Sequence, residues 1–181
     1  VTKGSVHPIG CMSQLAQITQ PEGKDYILVP RVSSENRVYI PIGFNTANVV
    51  ASDAVQIIPD ASLYHFGVLE SSVHMAWMRV VCGRLESRYR YSKEIVYNNF
   101  PWPKVTEAQR AKIEATAQAI LDARRLYPDS SLADLYDDVT MPIELRKAHI
   151  ANDVAVLEAY GLPKSTAEPA IVSHLFTLTA H

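Results

Sequence analysis

The sequence has few of the residues that mark secreted, membrane-spanning or cofactor-binding proteins. It contains two cysteines, Cys11 and Cys82, without metal-ligand spacing or the density of a disulfide scaffold, so we expect reduced, packed thiols. Only seven glycines are present and no glycine-rich loop follows a candidate strand, which predicts no cofactor-binding fold in this chain. Because no apolar run approaches the roughly 20 residues that span a bilayer and no secretory leader is visible, we expect a soluble, cytoplasmic protein without a membrane partner.

The chain also lacks a basic excess and the spacings of catalytic or metal sites. Its formal net charge of −2 is unlike that of a generic nucleic-acid binder. The six histidines show no spacing with cysteine or carboxylate residues that predicts a metal site, and no Gly-x-Ser-x-Gly turn exposes a serine nucleophile. We therefore expect neither a metal nor a catalytic residue in this chain.

The hydrophobic content of 48% over 181 residues is enough to bury a core, as one domain or as two small packed ones. The chain begins at Val1 rather than at methionine, so we expect it to be a piece of a larger protein.

Alternating charges stand out in the middle of the chain. Arg84, Glu86, Arg88 and Arg90 occupy every second position, and in a single strand this spacing places all four side chains on one face. Between Arg79 and Lys93 the chain has five basic residues and one acidic one. Arginine matches the O6 and N7 acceptors of guanine and a carboxylate can accept from the cytosine amine, so this face suits DNA. A solvated strand face with surface ion pairs explains the pattern equally well.

The rest of the pattern predicts an α+β fold in two parts. Residues 26–32 and 37–42 are β-branched and aromatic runs that predict a hairpin, with proline at 30 and 41 favouring edges or bulges. Residues 54–58 predict a third strand, and apolar residues at helical spacing over 62–82 predict two helices. This mixed α/β part would span residues 1–103.

Residues 104–181 predict a C-terminal helical bundle. Thr106 and Gln109 form a capping box for a long helix that ends before Pro128, and a short helix is expected near 131–136. A third helix would begin at Pro142 and stop at Gly161, as a left-handed C-cap. Ser165 and Glu168 predict another capping box, for a final helix.

Several segments resemble one known family. Residues 90–103 read RYSKEIVYNNFPWP and follow SVHMAW at 72–77 and CGRL at 82–85. Together with LYDDVTMPIELRKAH at 135–149 and AYG at 159–161, they resemble the target-recognition region and helical tail of MmeI-type (type IIL) restriction-modification enzymes and related adenine-specific DNA methyltransferases. The resemblance covers most of the chain from about residue 26 onward.

That resemblance implies a non-catalytic fragment that recognises double-stranded DNA. The remainder of the polypeptide would bind S-adenosylmethionine, methylate adenine N6 and, in fused members, cleave DNA, while this chain would hold no cofactor. The resemblance implies that Glu86 and Arg88 read a C·G pair, that Arg90 with Ala54 reads a purine, and that Arg31 with Asp53 reads a G. The expected site contains G-purine-A-C. The full set of expected DNA-binding residues is Arg31, Asp53, Ala54, Arg84, Glu86, Arg88, Arg90, Ser92 and Lys93.

Other interpretations fit the same sequence. The segment Asn99-Phe-Pro-Trp102 is similar to the Asn-Pro-Pro-aromatic loop of amino-methyltransferases, but its second residue is phenylalanine, so we interpret it as structural. The chain could instead be part of a separate type I-like specificity subunit, although its C-terminal helices look short for one. A protein-interaction or scaffolding domain without DNA contact is the alternative from another functional class.

Overall fold

A computed structural model describes residues 25–45 and 55–180 of the chain. Within these ranges two small antiparallel sheets and six α-helices form one structure, which confirms the predicted α+β class. The strands are β1 (Tyr26–Pro30), β2 (Val32–Ser33), β3 (Gly43–Asn45), β4 (Val55–Pro59), β5 (Gly83–Leu85) and β6 (Arg88–Arg90). The helices are α1 (Leu63–Leu69), α2 (Ser72–Val81), α3 (Glu107–Arg125), α4 (Leu132–Leu135), α5 (Ile143–Ala159) and α6 (Glu168–Thr179), with a π-helix at Lys93–Tyr97.

The first sheet has the order β3-β1-β4, and the second has the order β2-β6-β5. The chain passes from one sheet to the other at Arg31, between the end of β1 and the start of β2. The predicted third strand is confirmed as β4, but the predicted hairpin of 26–32 with 37–42 is wrong, because β1 pairs with β3 and β4. Residues 37–42 form no strand, and backbone groups in this segment bind side chains of helices instead: the Val38 carbonyl accepts from Arg79 on α2 at 3.1 Å, and the Ile42 carbonyl accepts from Arg124 on α3 at 2.8 Å.

The helices follow the predicted pattern closely. The two helices expected over 62–82 are α1 and α2, separated at Glu70 and Ser71. The capping box of α3 is confirmed: the Gln109 N–H donates to Thr106 Oγ1 at 3.2 Å, and the Thr106 N–H donates to Gln109 Oε1 at 3.0 Å. Gly161 has the left-handed φ of +72° expected after α5.

The capping box predicted from Ser165 and Glu168 is wrong. The N-cap of α6 is Ala167, which makes no side-chain cap. Glu168 instead accepts from the Arg79 guanidinium at 2.8 Å, so the side chain ties α6 to α2. A long-range ion pair has therefore replaced the local contact that the sequence pattern suggested.

One hydrophobic core joins the two parts of the chain. Gly67 on α1 lies directly against α3, where a Cβ in its place would meet Ile113 Cγ2 at 2.8 Å and Ala117 Cβ at 3.0 Å. The Asn152 amide on α5 donates to the Gly67 carbonyl at 2.7 Å. The helical part thus packs against α1 and α2, and α2 leads directly into β5 of the second sheet.

Candidate nucleic-acid interface

The alternating charged segment forms a hairpin and not a single strand. β5 and β6 pair antiparallel with Leu85 opposite Arg88, and Glu86 and Ser87 form a two-residue turn between them. We call β5, β6 and this turn the arginine hairpin. The prediction that all four charged side chains share one face is wrong, because a turn interrupts the alternation at Glu86.

The register divides the hairpin residues between two faces. Side chains directly opposite each other in an antiparallel ladder lie on the same side of the sheet. Arg84 pairs with Tyr89, so these two share one face; Tyr89 is only 6% exposed, whereas Arg84 is exposed. Arg88 and Arg90 lie on the other face, together with Leu85, and all three are exposed. We call this second face, with two arginines beside one apolar side chain, the exposed face.

The turn presents a carboxylate next to one of these arginines. Arg88 Nη2 donates to Glu86 Oε2 at 3.0 Å, and the side chains remain 48% and 78% exposed, respectively. Glu86 has a φ of +57°, a left-handed conformation that usually belongs to glycine, asparagine or aspartate in a turn. Adopting it costs a residue such as glutamate about 1 to 2 kcal/mol. The turn therefore holds an exposed carboxylate in a conformation that its own backbone disfavours.

Arg84 has a different environment from the other charged residues of the hairpin. Its guanidinium lies over the Tyr89 ring, with the carbon 4.2 Å from the ring centroid. Its Nη1 donates to the Ser87 carbonyl at 3.1 Å. The side chain therefore binds the hairpin's own turn from the face opposite to Arg88 and Arg90.

Three further predicted residues lie at the end of the hairpin. The Tyr91 N–H donates to the Arg31 carbonyl at 2.9 Å, which places exposed Arg31 beside the end of β6. Ser92 donates its hydroxyl proton to Glu94 at 3.0 Å, and half-buried Lys93 begins the π-helix. The hydrogen bond from the Glu94 backbone, then the one from Ser92, lowers the pKa of the exposed Glu94 carboxyl, and Arg31 contributes in the same direction. Asp53 and Ala54 lie outside the described residues.

Two buried residues whose structural role the sequence did not indicate anchor this end of the hairpin. His74 Nδ1 lies 3.1 Å from the Leu69 carbonyl, which can only accept, so this nitrogen donates and Nε2 accepts from the Tyr91 hydroxyl at 3.2 Å. Burial lowers the pKa of His74 to about 4, which keeps the ring neutral in this arrangement. The Trp77 indole N–H donates to the Val96 carbonyl at 3.0 Å. Both side chains come from α2, and no local pattern in the sequence could identify them as anchors.

The Asn99-Phe-Pro-Trp102 segment has the contacts of a structural element, as predicted. The Asn99 amide donates to the carbonyls of Glu94 and Ile95, both at 3.0 Å, and so closes the π-helix. Phe100 is buried, and Trp102 lies edge-on to it with ring centroids 5.4 Å apart. In a target-adenine loop the amide would have to be open to a ligand, whereas here backbone carbonyls occupy it.

Within residues 25–45 and 55–180 no group of three histidine, cysteine or carboxylate side chains could hold a metal ion. Among those residues, too, none of the helices is both long and apolar enough to cross a membrane.

Comparison with known proteins gives consistent matches over nearly the whole chain. Residues 10–104 match the family model described as the MmeI target recognition domain, and residues 105–181 match the MmeI C-terminal domain. A solved structure of the type IIL restriction-modification enzyme MmeI in complex with DNA is 52% identical, with a TM-score of 0.82, over 87% of this chain and 21% of that one. DNA methyltransferase A of Bacillus subtilis (strain 168) is 45% identical over 134 residues, which are 74% of this chain and 15% of that protein.

The chain thus spans about a fifth or less of either relative. The two family models together account for residues 10–181, and the arginine hairpin lies inside the first of them. The chain belongs to the MmeI family, and it corresponds to the target recognition domain and the C-terminal domain of that family.

Proposed function

We propose that this chain selects the DNA sequence on which an S-adenosylmethionine-dependent adenine-N6 methyltransferase acts, without taking part in the chemistry itself. The observation that carries the proposal is the exposed face of the arginine hairpin. On this face two arginines and a carboxylate are exposed to solvent, and the hairpin that holds them is paired with β2 in the second sheet. Such a face can enter the major groove, where each base pair has a distinct pattern of donors and acceptors.

The chemistry of the Glu86–Arg88 pair suits a C·G base pair. The Arg88 guanidinium can donate two hydrogen bonds to guanine O6 and N7, while the Glu86 carboxylate accepts from the N4 amine of the paired cytosine. The left-handed conformation of Glu86 supports this role, because a position where glycine would be less strained holds a carboxylate instead. The ion pair is exposed, so DNA can replace water around it at little cost in protein stability.

The proposed site contains G-purine-A-C, with the adenine methylated. Glu86 and Arg88 read the C, Arg90 with Ala54 reads the purine, and Arg31 with Asp53 reads the G. The proximity of Arg31 to the end of β6 supports its assignment to the same surface. Ser92 and Lys93, which lie two and three residues after the end of β6, would contact the DNA beside these readers.

The rest of the function belongs to the remainder of the polypeptide. We place the recognition domain at residues 1–103 and the helical domain at 104–181, with the methyltransferase domain and any endonuclease domain outside this chain. S-adenosylmethionine would bind there, in a cytoplasmic enzyme. Calorimetry with the isolated chain tests this division: no binding is expected, and micromolar binding of the cofactor would contradict it.

The main test exchanges the polarity of the reading pair. In the full-length enzyme, Glu86→Lys with Arg88→Asp should move the preference at one base pair from C toward G, since each good contact contributes about 1 to 3 kcal/mol of discrimination. Long-read methylome sequencing of a host that expresses each version reports the methylated motif directly.

A second exposed acid–arginine pair provides the matched control. Asp122 and Arg125 on α3 are 3.2 Å apart, with exposures of 58% and 73%, so Asp122→Lys with Arg125→Asp exchanges similar charges outside the hairpin. This variant should keep the original motif. A hairpin variant with an unchanged final base, or with altered preference at several positions, would overturn the assignment of Glu86 and Arg88.

The isolated chain should bind duplex DNA weakly, because phosphate contacts supply most non-specific affinity and the chain has a net charge of −2. We expect a dissociation constant no tighter than about 1 μM at physiological salt. Filter binding at two salt concentrations measures this value, and affinity should fall as salt increases. Nanomolar binding would reveal a phosphate-binding surface elsewhere on the chain, and a complete lack of binding would favour a scaffolding role.

A further inference from the structure

Arg84 contacts both the buried Tyr89 ring and the Glu86–Ser87 turn of the arginine hairpin. Tyr89 pairs with Arg84 on one side and with Ser33 of β2 on the other, and its side chain is buried. It therefore forms an immobile platform at the centre of the second sheet. The Arg84 guanidinium carbon lies 4.2 Å from the centroid of this ring, a distance at which cation–π attraction is effective.

The other end of the Arg84 side chain reaches the turn. Ser87 is the second turn residue, and its carbonyl accepts from Arg84 Nη1 at 3.1 Å. Glu86, the first turn residue, has the φ of +57°. A strained two-residue turn without glycine needs contacts from outside the turn to select one backbone conformation. The bond to the Ser87 carbonyl is such a contact, and it comes from a residue that is itself held by the Tyr89 ring.

The face on which Arg84 lies separates it from the proposed readers. Arg88 and Arg90 lie on the exposed face, and the ladder register places Arg84 on the opposite one with Tyr89. Because Arg84 is bonded to the Ser87 carbonyl, it can influence the positions of Glu86 and Arg88 through the backbone of the turn.

We propose that Arg84 is a positioning residue for specificity: it holds the Glu86–Ser87 turn in the geometry from which Glu86 and Arg88 read their base pair. This inference rests on the proposed function of the hairpin and adds a residue that does not read DNA itself. It replaces a direct DNA contact of Arg84 with an indirect effect at the single base pair that Glu86 and Arg88 recognise.

The conservative variant Arg84→Lys gives the sharpest test. Lysine keeps the charge and the long apolar stem, but it lacks the planar fork that can stack on Tyr89 and donate to Ser87 at the same time. In the full-length enzyme, methylation rates are measured on four duplexes that differ only at the C·G pair assigned to Glu86 and Arg88. The ratio of the rates on C·G and on each other pair should fall about tenfold, the size of one good base contact.

This ratio does not depend on how much of the enzyme is folded, so a destabilised variant remains informative. Arg84→Gln is measured in parallel and should lose the same discrimination, since it also lacks the fork. Arg125→Lys, an equivalent exchange at an exposed arginine of α3, is the control and should keep the wild-type ratio.

Each alternative role of Arg84 has its own outcome. If Arg84 contacts a phosphate, Arg84→Lys should retain most activity and Arg84→Gln should slow all four duplexes equally, and that result would overturn the proposal. Lost preference at a different base pair would make Arg84 a direct reader, which also overturns it. Unchanged ratios in both variants would do the same.

The exchange Glu86→Lys with Arg88→Asp separates a failure of this inference from a failure of the proposed function. It replaces both reading groups and should move the preference away from C·G in its own right. If it does so while the Arg84 variants behave as wild type, only the positioning role fails. If the exchange leaves the preference intact, the hairpin does not read this base pair, and the role of Arg84 fails with it.

Discussion

Two arginine–glutamate pairs in this structure have the same chemistry and opposite surroundings. In the arginine hairpin, Arg88 and Glu86 are 3.0 Å apart and largely exposed. Between the two parts of the chain, Arg124 and Glu70 are 2.8 Å apart, with side chains that are 9% and 0% exposed. Solvent can replace the partners of the first pair at little cost, whereas the second pair is inaccessible to solvent or DNA. Burial, and not the identity of the residues, separates a pair suited to recognition from one suited to structure.

The buried pair owes its stability to a network around it. Arg124 donates to the Ile42 carbonyl at 2.8 Å and to the Tyr136 hydroxyl at 2.7 Å, and Glu70 accepts from the Ile42 N–H at 3.0 Å. Burial raises the pKa of the Glu70 carboxyl, and the charge of Arg124 opposes that rise. His149 Nδ1 donates to the Glu70 carbonyl, so its Nε2 accepts from Tyr136. The network joins the loop before β3 to α3, the residue after α4, and α5.

Removal of the buried cation should produce the largest effect. Arg124→Met leaves the Glu70 carboxylate without its charge partner, and breaking a buried pair in this way costs about 3 to 5 kcal/mol of unfolding free energy. Urea unfolding measures the change. The neighbouring variant Arg125→Met removes an exposed arginine and should change stability by no more than about 0.5 kcal/mol. A loss below 1 kcal/mol for Arg124→Met would show that the buried pair contributes no more than the exposed one.

A methyl group added in the buried core should cost more stability than one added in the exposed hairpin. Gly67→Ala inserts a methyl group within 2.8 Å of Ile113 Cγ2 and 3.0 Å of Ala117 Cβ, at the contact of α1 with α3. Overpacking of this kind costs about 1 to 3 kcal/mol. Gly83→Ala in the hairpin is the control, since its nearest neighbour is the Arg90 carbonyl oxygen at 3.9 Å. Equal unfolding free energies for the two variants would mean that the helices can separate without loss.

The buried network should also respond to pH through His149. Burial, and then the charge of Arg124, lowers the pKa of His149 from 6.5 to about 3. Between these values the unfolded chain binds a proton that the folded chain does not, so this site loses stability as pH falls below 6.5, by about 1.4 kcal/mol per pH unit. His149→Gln is less stable at pH 7, but its deficit should shrink by about 2 kcal/mol between pH 7 and pH 5.

Urea unfolding of both proteins across this range measures the deficit. The other buried groups that titrate in the range, His74, Glu70 and Asp153, are common to both proteins, so the difference isolates His149. Between pH 7 and pH 8 the deficit should stay constant. A deficit that is also constant below pH 6.5 would show that His149 is protonated in the folded state.

The contrast between the two pairs also explains which features the sequence could predict. The capping box at Thr106, the break between α1 and α2 and the left-handed Gly161 follow from local chemistry and were predicted correctly. The buried pair joins residues 54 positions apart, and neither Glu70 nor Arg124 belongs to a local pattern that indicates its partner. Long-range hydrogen bonds of this kind appear only when the helices are assembled.

The hairpin turn was missed for a related reason. Two-residue hairpin turns usually contain glycine or asparagine, and Glu86-Ser87 has neither. The alternating charges therefore predicted one continuous strand. The bond from Arg84 to the turn supplies the conformational preference that the turn residues lack. Sequence patterns thus drew attention to the segment that forms the hairpin, while the division of its side chains between two faces depended on contacts around the turn.

The smallest expected effect tests why the exposed pair contains a glutamate at all. Glu86→Gly relieves the left-handed strain of about 1 to 2 kcal/mol, but it adds backbone entropy to the unfolded chain, worth about 0.5 to 1 kcal/mol. The net result should be a gain of about 0.5 kcal/mol, seen as a small rise in the thermal midpoint, together with a weaker preference at the C·G pair, where only Arg88 remains. Ser87→Gly is the control: among the described residues other than glycine only Asp60 and Glu86 have a positive φ, so glycine at 87 brings the entropy penalty without relief of strain and should lower the midpoint. If Glu86→Gly lowered the midpoint as much as Ser87→Gly, the turn would hold glutamate without strain, and its conformation would no longer support a role in reading DNA.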